Sequence, residues 1–157
     1  MFVMADHLAQ HLTSVAIFTY LSESEIQIIE KYMFFNTIKP GEFVFKEGEK
    51  GDYVCFVIHG MLEVIKFNQN DQPVVLAKLS KGASIGEMAL IDRLTRSASV
   101  RAASATGVVV MTRKGFEMIL RLHPEIGINI LKGIASLLSI NLRKTSERLT
   151  EYMPTLG

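Results

Sequence analysis

The stretch Gly82-Ala83-Ser84-Ile85-Gly86-Glu87-Met88-Ala89-Leu90-Ile91-Asp92-Arg93-Leu94-Thr95-Arg96-Ser97-Ala98-Ser99-Val100-Arg101-Ala102 interrupts a region that otherwise reads as short strands. It places a glycine, one turn of good helix formers over 87–91, a short polar loop and an arginine just before the chain becomes extended again. A helix N-terminus presents unpaired N–H groups and a partial positive charge. Gly86 there permits close approach, and the amides of Met88 and Ala89 are placed to hold an anionic oxygen. Arg96 adds a planar donor fork to the same anion, which fits phosphate better than the point charge of a lysine. Glu87, acceptor-only when ionised, would repel the anion unless it binds another part of the ligand, and a ribose hydroxyl is the natural donor for it. Sugar and phosphate together indicate a nucleotide.

Working outward, residues 42–45, 54–58, 62–67 and 74–79 are apolar or alternating runs. They are separated by Lys39-Pro40-Gly41, Gly48-Glu49-Lys50-Gly51-Asp52, His59-Gly60 and a polar stretch over 68–73. A further strand pair is expected at 98–102 and 107–111. These runs predict a mainly β fold with flanking helices, its centre an antiparallel β-barrel, closed or nearly closed, over 36–112. Before it, Leu8, Leu12, Val15 and Phe18 recur at helical spacing, and Ser22 with Glu25 forms a capping-box pattern, so two short helices are expected within 1–35. After it, Phe116, Ile119, Leu120 and Leu122 announce a helix that breaks at His123-Pro124. Pro124 then suits the first turn of a long last helix, which places the C-terminal helices over 113–150. The last helix is too apolar in its first half to face solvent. Two covers fit: packing on the barrel, or a two-helix homodimer seam with Leu131, Ile134, Leu138 and Asn141 at heptad a and d positions. The heptad favours the dimer.

Composition narrows the rest. The 157 residues lie within the usual size of one domain, and 17 basic against 16 acidic residues leave a net charge of +1, too little for general attraction to a nucleic acid backbone. The single cysteine, Cys55, allows neither an internal disulfide nor a cysteine cluster for zinc. His7, His11, His59 and His123 are scattered without metal-ligand spacing, and neither a nucleophile-base pattern nor a Walker-type loop is present, so no catalytic residue, metal or cofactor is expected. The opening Met1-Phe2-Val3-Met4-Ala5-Asp6 lacks the features of a signal peptide, and no uninterrupted apolar run approaches the ~20 residues of a membrane span. A cytoplasmic protein is expected.

Gly86-Glu87-Met88-Ala89-Leu90, followed by Arg96-Ser97-Ala98-Ser99-Val100, resembles the phosphate-binding cassette of cyclic-nucleotide-binding domains. The family includes the sensor domain of bacterial catabolite activator proteins and the regulatory subunit of cAMP-dependent protein kinase. The turn glycines of 39–53 and the hairpin Ile58-His59-Gly60-Met61-Leu62-Glu63-Val64 resemble the family's in the same order, so the likeness covers the whole chain. It implies a jelly-roll-like double-stranded β-helix with N-terminal helices, a cassette over 82–102 and a long C-terminal helix. By position it assigns Glu87 to the ribose 2′-hydroxyl and Arg96 to the cyclic phosphate, with Gly86, Met88, Ala89 and Ser97 around the phosphate and Ile85 and Ala98 flanking them. The residue before the arginine, often proline in the family, is Thr95 here, and Ile85 replaces a common aromatic. A hydroxyl residue of the serine type at 97 points to cAMP, with cGMP as the alternative.

The resemblance further implies that the last helix swings to cover the base, with Asn141, Arg143 and Thr145 as candidates for touching it. Bacterial relatives continue into a DNA-reading domain, whereas fourteen residues follow Arg143, so no DNA partner is expected. The reading is a stand-alone cAMP sensor acting on a protein partner. Its rivals are a ligand-independent interaction module of the same fold and a cupin-like barrel enzyme.

Overall fold

The computed structural model describes residues 8–155. The opening residues, His7 among them, lie outside that range. Eight strands form two antiparallel four-stranded sheets. The first has the order β1 (Met33–Ile38), β8 (Thr106–Thr112), β3 (Tyr53–His59), β6 (Ser84–Ile85). The second runs β2 (Phe43–Phe45), β7 (Ser99–Ala102), β4 (Leu62–Phe67), β5 (Pro73–Leu79). The mainly β, jelly-roll-like architecture with flanking helices is therefore as read, but the sheets do not close into a barrel. β6 has two residues and β2 three with a register shift, too little ladder to join one sheet to the other.

β1 is a strand that the sequence reading did not place. Its burial is irregular, without clean alternation, and it is defined by pairing six residues with β8, from Met33 with Met111 to Ile38 with Thr106, far along the chain. β3 and β8 read as continuous apolar runs because both of their faces are covered. Val54, Phe56 and Ile58 with Val109 and Met111 join the core under the helices. Cys55, Val57, Val108 and Val110 join a second core between the sheets, where burial pushes the Cys55 thiol up to about 12.

The helices pack on the first sheet. The single helix expected over 8–18 is broken into α1 (Leu8–Leu12) and a 3₁₀ turn at Ala16–Phe18. Thr13 and Ser14 bend back to donate to the carbonyls of Gln10 and His11, competing with helix continuation. α2 (Glu23–Ile29) begins with the complete Ser22–Glu25 capping box. α3 (Arg113–Leu122) is capped by Thr112, whose hydroxyl accepts from the Gly115 amide at 3.0 Å. α4 (Pro124–Tyr152) starts with proline in its first turn and buries Ile126, Ile130 and Ile134. Gly133 lets it cross the 3₁₀ turn backbone to backbone, since a Cβ there would collide with the Ile17 carbonyl.

This placement corrects the heptad. Ile134 is fully buried in the domain's own core, so the stripe of Leu131, Ile134, Leu138 and Asn141 does not face outward as a unit. By length and composition alone α4 is long and apolar enough to cross a membrane. Ile126, Ile130 and Ile134 account for part of that apolar character, and most of the stretch is not buried.

Candidate functional site

A cavity of about 360 Å³ opens between the second sheet and the 82–102 segment, within the size range of small-molecule sites, roughly 300–1,000 Å³. Its apolar wall comes from Phe45, Val64, Leu79 and Val100 on the four strands of the second sheet. The opposite wall is the cassette: Ser84, Ile85, Gly86, Glu87, Met88 and Ala89, then Asp92 and Leu94 through Ala98. Asn141 of α4 reaches the rim.

The cassette is shaped by Gly86, whose φ of 80° lies in the left-handed region that favours glycine, and which opens a 3₁₀ turn over Glu87–Leu90. The turn closes with the Ala89 amide donating to the Gly86 carbonyl at 3.0 Å. Ala89 lines the cavity, and its amide closes this turn. Ile85 and Ala89 are buried, Gly86, Glu87 and Ala98 half-buried, and Met88 and Ser97 exposed at the mouth.

Arg96 is held at its backbone by the loop before β3: its amide donates to the Glu49 carbonyl at 2.8 Å and its carbonyl accepts from Gly48 at 2.9 Å. Its side chain is 7% exposed, and Nη2 donates to the Tyr53 carbonyl at 2.7 Å. Nε, also buried, has no hydrogen-bond partner, and no carboxylate among the described residues pairs with the guanidinium. A buried charge without a counter-ion is costly, and an anion entering the cavity would relieve that cost.

Glu87 lines the same cavity. Burial raises its carboxyl above the usual carboxylate range, partly offset by its own backbone amide, the nearby Ser84 hydroxyl and the positive charge of Arg96. The Ser84 hydroxyl completes no hydrogen bond, so its influence is an electrostatic one.

Of the three base-capping candidates only Asn141 reaches the cavity. Thr145 lies one turn further on the same helix face and donates to the Asn141 carbonyl at 2.8 Å, while Arg143 projects about 200° around the helix from Asn141. Sequence reasoning missed Phe45, Val64, Leu79 and Val100, because strand runs that are apolar on both faces do not reveal which side meets a ligand. Asp92 and Leu94 also line the cavity unforeseen, although both lie inside the segment first quoted.

Fold and site together define a class: a two-sheet jelly-roll domain whose cavity, walled by one sheet, holds a single buried arginine. Residues 35–123, more than half of the chain, match the family model of the cyclic nucleotide-binding domain, and the chain belongs to that family. A solved cyclic nucleotide-binding domain from Methylobacillus flagellatus KT is 28% identical, with a TM-score of 0.86 over 98% of this chain and 89% of that one. The cAMP-dependent protein kinase regulatory subunit of Mycosarcoma maydis is 35% identical over 114 residues, 69% of this chain and 22% of that protein. The cGMP-dependent protein kinase of Plasmodium berghei (strain Anka) is 42% identical over 82 residues, 52% of this chain and 9% of that protein. The chain therefore spans less than a quarter of the length of these curated relatives.

Proposed function

We propose that this domain senses a cyclic nucleotide, cAMP in preference to cGMP, and relays its occupancy to a protein partner through α4. The observation that carries the reading is the buried Arg96 guanidinium, without a counter-ion, beside a carboxylate in one small cavity. Arg96 takes the cyclic phosphate, assisted by the Met88 amide and Ser97, and Glu87 takes the ribose 2′-hydroxyl. Ile85, Gly86, Ala89 and Ala98 shape the pocket. Asn141 reads the base, and Arg143 or Thr145 joins it only when α4 shifts. The site groups act by binding, with no catalytic step, and the unpaired buried Cys55 suits a reducing cytoplasm.

Ligand moves α4 only by binding its two positions unequally. The partner surface we assign to α4 is the stripe Ile128, Leu131, Ala135, Leu138, Leu142, Leu149 and Tyr152, spaced three, four or seven residues apart. Leu131 and Leu138 are half-buried, one flank of each against the domain's own core, and every residue from Ser139 to Tyr152 is exposed. A second copy offers the same stripe in return, so a homodimer is the partner this spacing supports best.

The deciding experiment is thermal unfolding of wild type and Arg96→Ala with and without cAMP, cGMP and a cyclic dinucleotide. At ~100 times the dissociation constant a native-specific ligand adds about 2.7 kcal/mol, a midpoint shift of roughly 5 to 10 °C at this size. The expected result is a shift with cAMP that Arg96→Ala largely loses. No shift in a folded, nucleotide-free protein would leave a ligand-independent interaction module.

A further inference from the structure

Arg96 enters the cavity between two aromatic rings, and no carboxylate among the described residues forms an ion pair with it. Its guanidinium carbon lies 4.0 Å from the ring centre of Phe45 and 4.8 Å from that of Tyr53. The two rings stand edge to face at 71°, with centroids 6.3 Å apart. The remaining sides are backbone: a Cβ on Gly51 would come within 2.8 Å of Nε, and one on Gly86 would collide with Nη1. Tyr53 is anchored in turn, its hydroxyl donating to the Val44 carbonyl at 2.9 Å and its backbone pairing with Thr112. Phe45 lines the cavity, whereas Tyr53 does not.

A carboxylate would hold a guanidinium by its N–H edge, the edge that an incoming phosphate needs. An aromatic face attracts the cation through its quadrupole and leaves that edge open. It also restricts the flexible arginine stem before the ligand arrives, so less rotamer freedom is lost on binding. We propose that Tyr53 is a positioning residue for the anion site, holding Arg96 in its anion-ready pose while leaving its charge uncompensated. This rests on the reading of Arg96 as the phosphate ligand.

The test is a double-mutant cycle on cAMP affinity by calorimetry, with Tyr53→Leu and Arg96→Ala singly and together, plus Tyr53→Phe. Tyr53→Leu is expected to weaken cAMP about tenfold, the scale of a partly desolvated cation–π contact. Tyr53→Phe is expected to restore most of that loss, and Tyr53→Leu to have no further effect in the Arg96→Ala background. Gly51→Ala, which crowds Arg96 at Nε from a residue that does not line the cavity, gives a second route to the same loss should Tyr53→Leu fold poorly. If Tyr53→Leu and Gly51→Ala bind as wild type, or if Tyr53→Leu costs as much without Arg96 as with it, the positioning role is wrong while the nucleotide site stands. If wild type binds no cyclic nucleotide, or Arg96→Ala binds as well as wild type, the underlying reading of the site fails and this inference falls with it.

Discussion

Arg96 and Glu87 face one cavity without forming an ion pair. Arg96 donates through Nη2 to the Tyr53 carbonyl and leaves Nε without a partner, so the domain carries the cost of a buried guanidinium without a counter-ion. Arg96→Met keeps an apolar stem against Phe45 and Tyr53 and removes that charge. Unliganded Arg96→Met is expected to unfold at or above the wild-type temperature, by as much as about 1 kcal/mol of added stability. The same variant is expected to lose cAMP affinity by at least about tenfold. Calorimetric unfolding and titration of both proteins check the pair of effects, and a clear fall in stability would count against the uncompensated-charge reading.

Glu87 supplies a pH dependence of defined sign. Burial raises its carboxyl, so the folded domain holds the proton more tightly than the unfolded chain. Its contribution to stability is full below the unfolded value of about 4.3 and is lost as pH rises through the raised folded value. Glu87→Gln is therefore expected to unfold at a higher temperature than wild type at pH 7, the gap closing toward pH 4. Cyclic-nucleotide affinity of wild type is expected to fall on acidification as Glu87 takes up its proton, and that of Glu87→Gln to be lower and flatter. Unfolding and binding measured across pH 4 to 8 test both, and parallel profiles for the two proteins would exclude the assigned role.

The crossing of α4 over the Ala16–Phe18 turn depends on a missing side chain. A Cβ on Gly133 would collide with the Ile17 carbonyl, so Gly133→Ala must push helix and turn apart. The expected cost is about 1–3 kcal/mol, the scale of overpacking a tight core. Urea unfolding reads it as a lower midpoint at unchanged slope.

The exposed stripe on α4 makes a separate claim. Leu142 and Leu149 are 68% and 59% exposed and touch no core cluster of the domain. Replacing both by lysine is expected to leave the unfolding of the isolated domain within about 0.5 kcal/mol of wild type. Sedimentation at rising concentration is expected to show dimers for wild type and monomers for the double variant. A wild type that stays monomeric at high concentration would leave the stripe to a different protein partner.

Much of this protein can be read along the chain because the signals are local. The Ser22–Glu25 capping box, Pro124 at the start of α4 and the apolar runs of β3 and β8 follow from backbone sterics and side-chain spacing within a few residues. So does the cassette, where Gly86 and a short helical turn precede an arginine at fixed distance. Tertiary structure decided what depends on residues far apart in sequence. β1 is a strand because β8 pairs with it, and Ile134 is core because Gly133 lets α4 meet Ile17. The electrostatic state of Arg96 was settled the same way: Phe45, Gly51 and Tyr53, more than forty positions upstream, surround it, and no carboxylate among the described residues pairs with it. Spacing along a chain specifies which groups an element presents. Only packing specifies what surrounds a buried charge, and the proposed anion site rests on the lack of an ion-pair partner for Arg96 among the described residues.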